Sequence, residues 1–279
     1  MKVWVDGTVA DVDDARVSPM DHGLLTGDGV FETLRVYGSR PFAWTRHLDR
    51  LHHSAAALGL PVPERAVLRA GAEAVIAANG IAEARLRITV TGGPAPLGAE
   101  RGDVGPTTVI AVGAVNPFPP TASVVVVPWT RNEHGATAGL KTISYAENVR
   151  ALAWAHEHGA GEAIFANTRG DLCEATGSNA FVVHDGVVRT PPAEAGPLLG
   201  VTRAITLECC ATLGVPCVEE PVTLDEFRTA DEAFLTSTTR EVQGIGAIDG
   251  VERADAPGPV TVRLAAAFRE RVASGVDFD

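Results

Sequence analysis

Lys141 stands between Gly139-Leu140 and Thr142-Ile143-Ser144-Tyr145, and the only other lysine in the 279 residues is Lys2. Downstream come Cys173-Glu174-Ala175-Thr176-Gly177-Ser178-Asn179, then Gly200-Val201-Thr202-Arg203, then Ser237-Thr238-Thr239-Arg240-Glu241. In this order the segments supply an amine, a carboxylate beside a polar turn, and two turns rich in donors for an anion. The chemistry such a set could do is condensation of the amine with an aldehyde, next to a held anion.

Each part has a physical rationale and a plainer alternative. An aldehyde needs an amine that can lose its proton near neutral pH, which desolvation or a neighbouring cation makes possible for lysine. Taken alone, Lys141 reads as a solvated loop lysine. A pyridine ring acts as an electron sink while its nitrogen stays protonated, and an acidic partner such as Glu174 maintains that state, with Asn179 available to orient it. A strand-end glutamate facing water is the alternative. Gly200-Val201-Thr202 opens a predicted helix, whose first N–H groups and dipole favour an anion. Thr202 could instead cap that helix. Thr238 and Thr239 add hydroxyl and amide donors at a strand end. Arg50 could give a bidentate charged contact, or a surface ion pair.

These residues must be positioned by regular elements. Apolar spacing predicts strands at Val30–Tyr37, Arg85–Thr91 and Thr107–Ala114, and helices at Thr45–Leu58 and Glu64–Ala78. The Pro-rich stretch from Asn116 to Thr121 interrupts two β-branched runs and marks a boundary. The expected organisation is therefore an N-terminal α/β domain over 1–116, a linker over 117–121 and a larger domain over 122–279. Beyond the linker, Ser123–Val127 reads as a strand closed by Pro128. Strands follow at Glu162–Ala166, Ala180–His184, Val187–Arg189 and Glu232–Ser237, and helices at Tyr145–His158, Val201–Leu213 and Val260–Ala273. Strands and helices do not strictly alternate, so the fold class is α+β.

Composition limits the partners. The formal net charge of −12 argues against non-specific binding to nucleic acid or anionic membrane. No apolar run reaches transmembrane length, and the start reads as a strand and turn rather than a targeting segment. Cys173, Cys209, Cys210 and Cys217 lack the paired spacing of a zinc site, so no metal is expected and reduced thiols in a cytoplasmic protein are the reading.

Taken together, the residues resemble fold type IV of the pyridoxal phosphate enzymes over nearly the whole chain. The stretch Gly27-Asp28-Gly29-Val30-Phe31-Glu32-Thr33-Leu34-Arg35-Val36-Tyr37 looks like that family's substrate-side strand, and His47-Leu48-Asp49-Arg50-Leu51 like its phosphate-arginine helix. The resemblance implies a two-domain fold, pyridoxal 5′-phosphate as cofactor and a homodimer with sites near its interface. It implies that Lys141 bonds to the cofactor aldehyde and moves the substrate Cα proton, and that Glu174 partners the ring nitrogen. Tyr145 would hydrogen-bond the phenolic oxygen, and Leu198 would pack on the ring. Arg50, Val201, Thr202, Thr238 and Thr239 would hold the phosphate.

Within that family, Ser237-Thr238-Thr239-Arg240-Glu241 is similar to the D-amino acid aminotransferase form of the loop. The implied substrates are D-amino acids or (R)-amines, with a 2-keto acid such as pyruvate or 2-oxoglutarate as acceptor. The Arg-x-His carboxylate trap of the D-enzymes is missing, and Phe31 replaces their tyrosine. Arg101 or Arg240 is then the expected carboxylate ligand. Phe31-Glu32-Thr33 is also similar to the strand of 4-amino-4-deoxychorismate lyases, which release pyruvate and 4-aminobenzoate without a second keto acid. A branched-chain L-amino acid aminotransferase or a non-catalytic relative fits these residues less well.

Overall fold

Val30, Leu34 and Val36 alternate along one strand with Phe31, Thr33 and Arg35, and this period of two sets the architecture of the first half of the chain. The even positions are fully buried. They face two helices whose apolar residues recur at helical spacing. The computed structural model describes residues 1–279. It divides into two compact units, one of Met1–Asn116, Leu140–Tyr145 and Val276–Asp279, the other of Pro117–Gly139 and Ala146–Gly275.

The first unit contains β1 (Lys2–Val5), β2 (Thr8–Asp11), α1 (His22–Leu25), β3 (Gly29–Tyr37), β4 (Arg40–Pro41), α2 (Trp44–Ala57), α3 (Arg65–Asn79), β5 (Ala84–Thr91) and β6 (Thr107–Gly113). The strands form one antiparallel sheet in the order β2-β1-β6-β5-β3-β4. Its core joins Leu34, Leu86, Ile88 and Ile110 of the sheet to Leu48 and Leu51 of α2 and Leu68, Ala72 and Val75 of α3. Each of these Leu, Ile and Val side chains contributes about 1.5–3 kcal/mol when fully buried. Gly71 of α3 lies against Trp4, and a Cβ there would meet the indole at 3.0 Å and Ile110 Cδ1 at 2.8 Å. The glycine thus lets α3 pack close to the sheet.

The second unit contains β7 (Thr121–Arg131), α4 (Ala146–Glu157), β8 (Glu162–Asn167), β9 (Leu172–Ala175), β10 (Asn179–His184), β11 (Val187–Thr190), α5 (Val201–Leu213), β12 (Cys217–Glu219), α6 (Leu224–Thr229), β13 (Glu232–Ser237), β14 (Glu241–Ile248), β15 (Val251–Glu252) and α7 (Pro259–Ser274). Its sheet has the order β12-β11-β10-β13-β14-β7-β8-β9, with β15 on β14. Three neighbouring pairs, β11–β12, β14–β7 and β7–β8, are parallel, and the rest are antiparallel. This mixture, beside an antiparallel first sheet, is an α+β architecture. No helix is long and apolar enough to cross a membrane.

Two sequence expectations change. Pro128 does not close its strand: β7 runs on to Arg131, and its register against β8 shifts between Val126 and Thr130. That irregularity accommodates a residue without an N–H. Residues 122–279 also do not form one body, because Leu140–Tyr145 and Val276–Asp279 pack with the first unit. Backbone bonding explains the first return. Phe31 N donates to Lys141 O at 3.1 Å and Ile143 N to Gly29 O at 3.0 Å, around a bridge between Val30 and Thr142. The second return is aromatic: Phe278 meets Phe42 and Tyr37 edge-on, and Ala43 N donates to Asp277 O at 2.7 Å.

Candidate active site

In the first unit, Lys141 is fixed by its own backbone. Its carbonyl accepts from Phe31, and its N–H donates to Ser54 Oγ at 3.1 Å. Ser54 is fully buried on α2. The side chain runs to the Phe31 ring, where Nζ lies 4.4 Å from the centroid. Tyr145 meets the same ring edge-on at 5.4 Å. The Arg87 guanidinium lies over it at 3.7 Å. One aromatic side chain therefore gathers a lysine, a phenol and a guanidinium.

Arg87 is a functional candidate that the sequence reading missed. It sits on β5 directly opposite Thr33 of β3. Its Nε donates to Thr89 Oγ1 at 3.1 Å. No carboxylate pairs with it, and it is exposed. The alternation Arg85-Leu86-Arg87-Ile88 carried the signal for its face. The register that sets it beside Phe31 depends on strand pairing, which local pattern does not give.

Behind this cluster lies a buried charge network. Glu32 is fully buried on the helix side of β3. Arg50 of α2 grips it with Nε at 2.7 Å from Oε1 and Nη2 at 2.8 Å from Oε2. His47 Nδ1 lies 2.7 Å from Oε2. Burial by itself would raise the Glu32 carboxyl, but the Arg50 guanidinium and then His47 outweigh it and hold it well below the usual carboxylate range. Burial pulls His47 the other way, below its ordinary value, against the pull of Glu32. The bidentate contact expected from Arg50 to phosphate is thus made to Glu32. The reason is that a carboxylate buried between β3 and α2 requires a paired cation.

In the second unit, Glu174 sits at the middle of β9, opposite Phe165. Its Oε2 accepts from Leu198 N at 3.0 Å. Its Oε1 lies 3.8 Å from Arg131 Nε. Asn179 does not orient Glu174 directly as expected. It donates to Leu198 O at 2.7 Å, so the Leu198 peptide groups are held from both sides. Arg131 is a further residue the sequence did not single out. It bonds Glu147 at 2.6 Å and Asn148 at 2.8 Å, and stacks over Phe165 at 4.2 Å.

Helix α5 begins after Gly200, which makes no side-chain cap. Thr202 lies inside the helix, so the capping alternative does not apply. A Cβ at Gly200 would meet Asn179 Oδ1 at 2.1 Å. Only glycine allows this approach of the helix start to Asn179. Val201 and Thr202 are buried, and Thr238 and Thr239 lie half-buried in the turn between β13 and β14.

The donor set fits pyridoxal phosphate. Ser178 Oγ, Thr236 Oγ1 and Arg131 Nε are buried without a hydrogen-bond partner. Thr236 pairs in register with Asn179, so two of these orphaned groups flank the residue that touches the start of α5. Buried polar atoms left unpaired are costly unless a ligand or water satisfies them. An uncapped helix N-terminus adds donors for an anion.

The other expected carboxylate ligands are committed elsewhere. Arg101 binds Asp28 through Nε at 2.7 Å and Nη2 at 2.6 Å, and donates to the Leu58 and Gly59 carbonyls through Nη1. It braces a loop in the first unit. Arg240 bonds Glu162 at 3.1 Å and Gln243 at 2.6 Å.

The family model for amino-transferase class IV matches residues 29–248. A protein of Methanocaldococcus jannaschii named for branched-chain-amino-acid aminotransferase activity is 34% identical over 283 residues, covering 97% of this chain and 96% of the relative. A D-alanine aminotransferase of Listeria monocytogenes is also 34% identical, over 290 residues, covering 98% and 96%. The crystal structure of a branched-chain aminotransferase from Thermoproteus uzoniensis, with norvaline, superposes with a TM-score of 0.89 at 30% identity, covering 99% of this chain and 96% of that one. The chain therefore belongs to the class IV aminotransferases, fold type IV enzymes whose cofactor is pyridoxal 5′-phosphate.

Proposed function

We propose that this aminotransferase moves the amino group of D-amino acids, and of (R)-amines by extension, to a 2-keto acid such as pyruvate or 2-oxoglutarate. The observation that carries the reading is the Phe31 ring with Lys141 Nζ on it at 4.4 Å and the Arg87 guanidinium at 3.7 Å. An amine and a carboxylate-binding fork on one ring suit an α-amino acid. The D-preference rests on Ser237-Thr238-Thr239 and on the likeness to the Listeria D-alanine aminotransferase. Identity alone does not separate this from the branched-chain reading, since both relatives are 34% identical.

When bound, the cofactor would supply an electron sink that makes the substrate Cα proton removable. The protein's part is to hold and to move protons. Lys141 Nζ would take the proton from the substrate Cα and deliver it to the cofactor carbon that began as the aldehyde. Glu174, its Oε2 fixed by the Leu198 N–H, keeps the ring nitrogen protonated. Tyr145 donates to the phenolic oxygen, and Leu198 covers the ring. Val201, Thr202, Thr238 and Thr239 would hold the phosphate, and Arg50, whose fork is taken by Glu32, would add positive charge rather than a bidentate contact. Arg87 receives the substrate carboxylate in place of Arg101 and Arg240. We assign the protein to the cytoplasm and to a homodimer, and sedimentation velocity tests the oligomeric state.

A second reading has its own observation. Thr33 lies half-buried on the Phe31 face of β3 and opposite Arg87, as a lyase acting on 4-amino-4-deoxychorismate would use it. Product analysis separates the two readings. Transamination yields a new amino acid and requires a keto acid acceptor, whereas the lyase yields pyruvate and an aromatic amine with no acceptor present.

A further inference from the structure

Arg240 and Glu162 form a buried ion pair in the second unit, with Nη2 3.1 Å from Oε2 and side chains only 12% and 4% exposed. The other Glu162 oxygen accepts from the Thr176 hydroxyl, from the Thr176 N–H at 3.3 Å and from Ala163 N at 3.1 Å. The second arm of Arg240 donates to Gln243 Oε1 at 2.6 Å, and Gln243 Nε2 donates to Pro119 O at 2.7 Å. The guanidinium also lies 4.5 Å over the Phe118 ring. One ion pair is thereby fastened to three segments: the turn after β9, the turn between β13 and β14, and the stretch entering β7.

We propose that the Arg240–Glu162 pair is a positioning device for the cofactor phosphate. The inference rests on the assignment of Thr238 and Thr239 to that phosphate. Arg240 directly follows Thr239, and its backbone N–H donates to Ser237 Oγ at 3.3 Å, closing the turn that carries both threonines. Glu241 completes the turn at φ 59°. Thr238 and Thr239 precede Arg240 in the same turn, so a guanidinium held by Glu162 and Gln243 fixes the turn that carries their donors. A buried ion pair gives little net stability, because desolvation of both charges offsets their attraction. What it supplies here is direction, through two hydrogen-bonding arms and a stacked face. Donors fixed in advance lose less freedom when the anion arrives.

The test compares pyridoxal phosphate with pyridoxal, which lacks the phosphate. Dissociation constants for both are measured by absorption titration of the purified full-length protein, for wild type, Arg240→Ala and Arg240→Lys. The pair predicts that Arg240→Ala raises the constant for pyridoxal phosphate by at least about tenfold, as misplaced donors do, and that for pyridoxal by less than about threefold. Arg240→Lys, which keeps the charge but not the fork, falls between. Should Arg240→Ala not fold, Arg240→Met fills the same volume and is read by the same ratio. An unchanged constant for pyridoxal phosphate, or a parallel rise for both compounds, overturns the proposal. A wild-type protein that binds neither compound removes the cofactor assignment and this inference with it, and the wild-type titration alone tells that case apart.

Discussion

Phe31 holds Lys141 at both ends: its N–H donates to the lysine carbonyl at 3.1 Å, and its ring lies 4.4 Å from Nζ. The backbone bond fixes where the side chain starts, and the ring fixes where the amine ends. Phe31→Ala preserves the first and removes the second. A cation–π contact of about 0.5–2 kcal/mol corresponds to a loss of roughly threefold to thirtyfold in the rate of the half-reaction. Stopped-flow absorption at saturating cofactor measures it, and retention of bound cofactor shows that the chain remains folded.

Arg87 is the guanidinium on that ring with no carboxylate partner. Arg87→Leu is expected to raise KM for amino acids by roughly 10- to 100-fold, the range for losing a hydrogen-bonded charge contact of about 1.5–3 kcal/mol. Amines without a carboxylate should be affected less than about threefold. Arg101→Leu breaks its bonds to Asp28, Leu58 and Gly59, so it should lower the thermal midpoint and leave the ratio of the two KM values unchanged. Steady-state kinetics on D-alanine and an (R)-amine distinguishes these outcomes.

Glu174→Gln retains an acceptor for the Leu198 N–H but loses the charge that partners the pyridinium. The half-reaction should slow by at least about 100-fold, since the electron sink weakens when the ring nitrogen is neutral. Cofactor binding should weaken far less. Single-turnover spectra at saturating cofactor test this.

Glu32 links acid sensitivity to the Arg50 network. Its folded-state carboxyl lies below the ordinary glutamate value because Arg50 and His47 outweigh burial. A depressed folded value means the stabilisation is fully present above the unfolded value, near 4.5, and is lost as pH falls below it. Glu32→Gln leaves Arg50 uncompensated and should cost about 3–5 kcal/mol at pH 7. The gap between wild type and variant should narrow as pH drops from about 5 toward 3. Denaturant unfolding across that range measures the gap, and a constant gap contradicts the network.

Much of this arrangement was legible in the sequence where local pattern controls it. The spacing of Leu48, Leu51 and Ala55 marked α2, and the alternation around Leu34 marked β3. Val201–Leu213 is helical over the range its periodicity implied. What local pattern could not give was pairing. Lys141 and Ile143 join the first unit through backbone bonds to Phe31 and Gly29 respectively, more than a hundred residues upstream. Arg87 meets Phe31 only through the β3–β5 register. The arginines were assigned by type, yet each commitment depended on a distant carboxylate: Glu32 for Arg50, Asp28 for Arg101 and Glu162 for Arg240. Pro128 was read as a terminator because its missing N–H breaks a regular ladder, and the shifted register of β7 removes that demand.

The most direct measurement is the absorption spectrum of the pyridoxal phosphate-loaded protein, before and after D-alanine or D-glutamate is added without keto acid. Wild type should show the yellow band of lysine-bound cofactor. The D-substrates should convert it to the near-ultraviolet band of the amine form, L-amino acids should do so poorly, and Lys141→Ala should show neither band change. A yellow band that L-leucine discharges and D-amino acids do not would contradict the D-amino acid reading. A wild-type-like band and conversion in Lys141→Ala would contradict the central role given to Lys141.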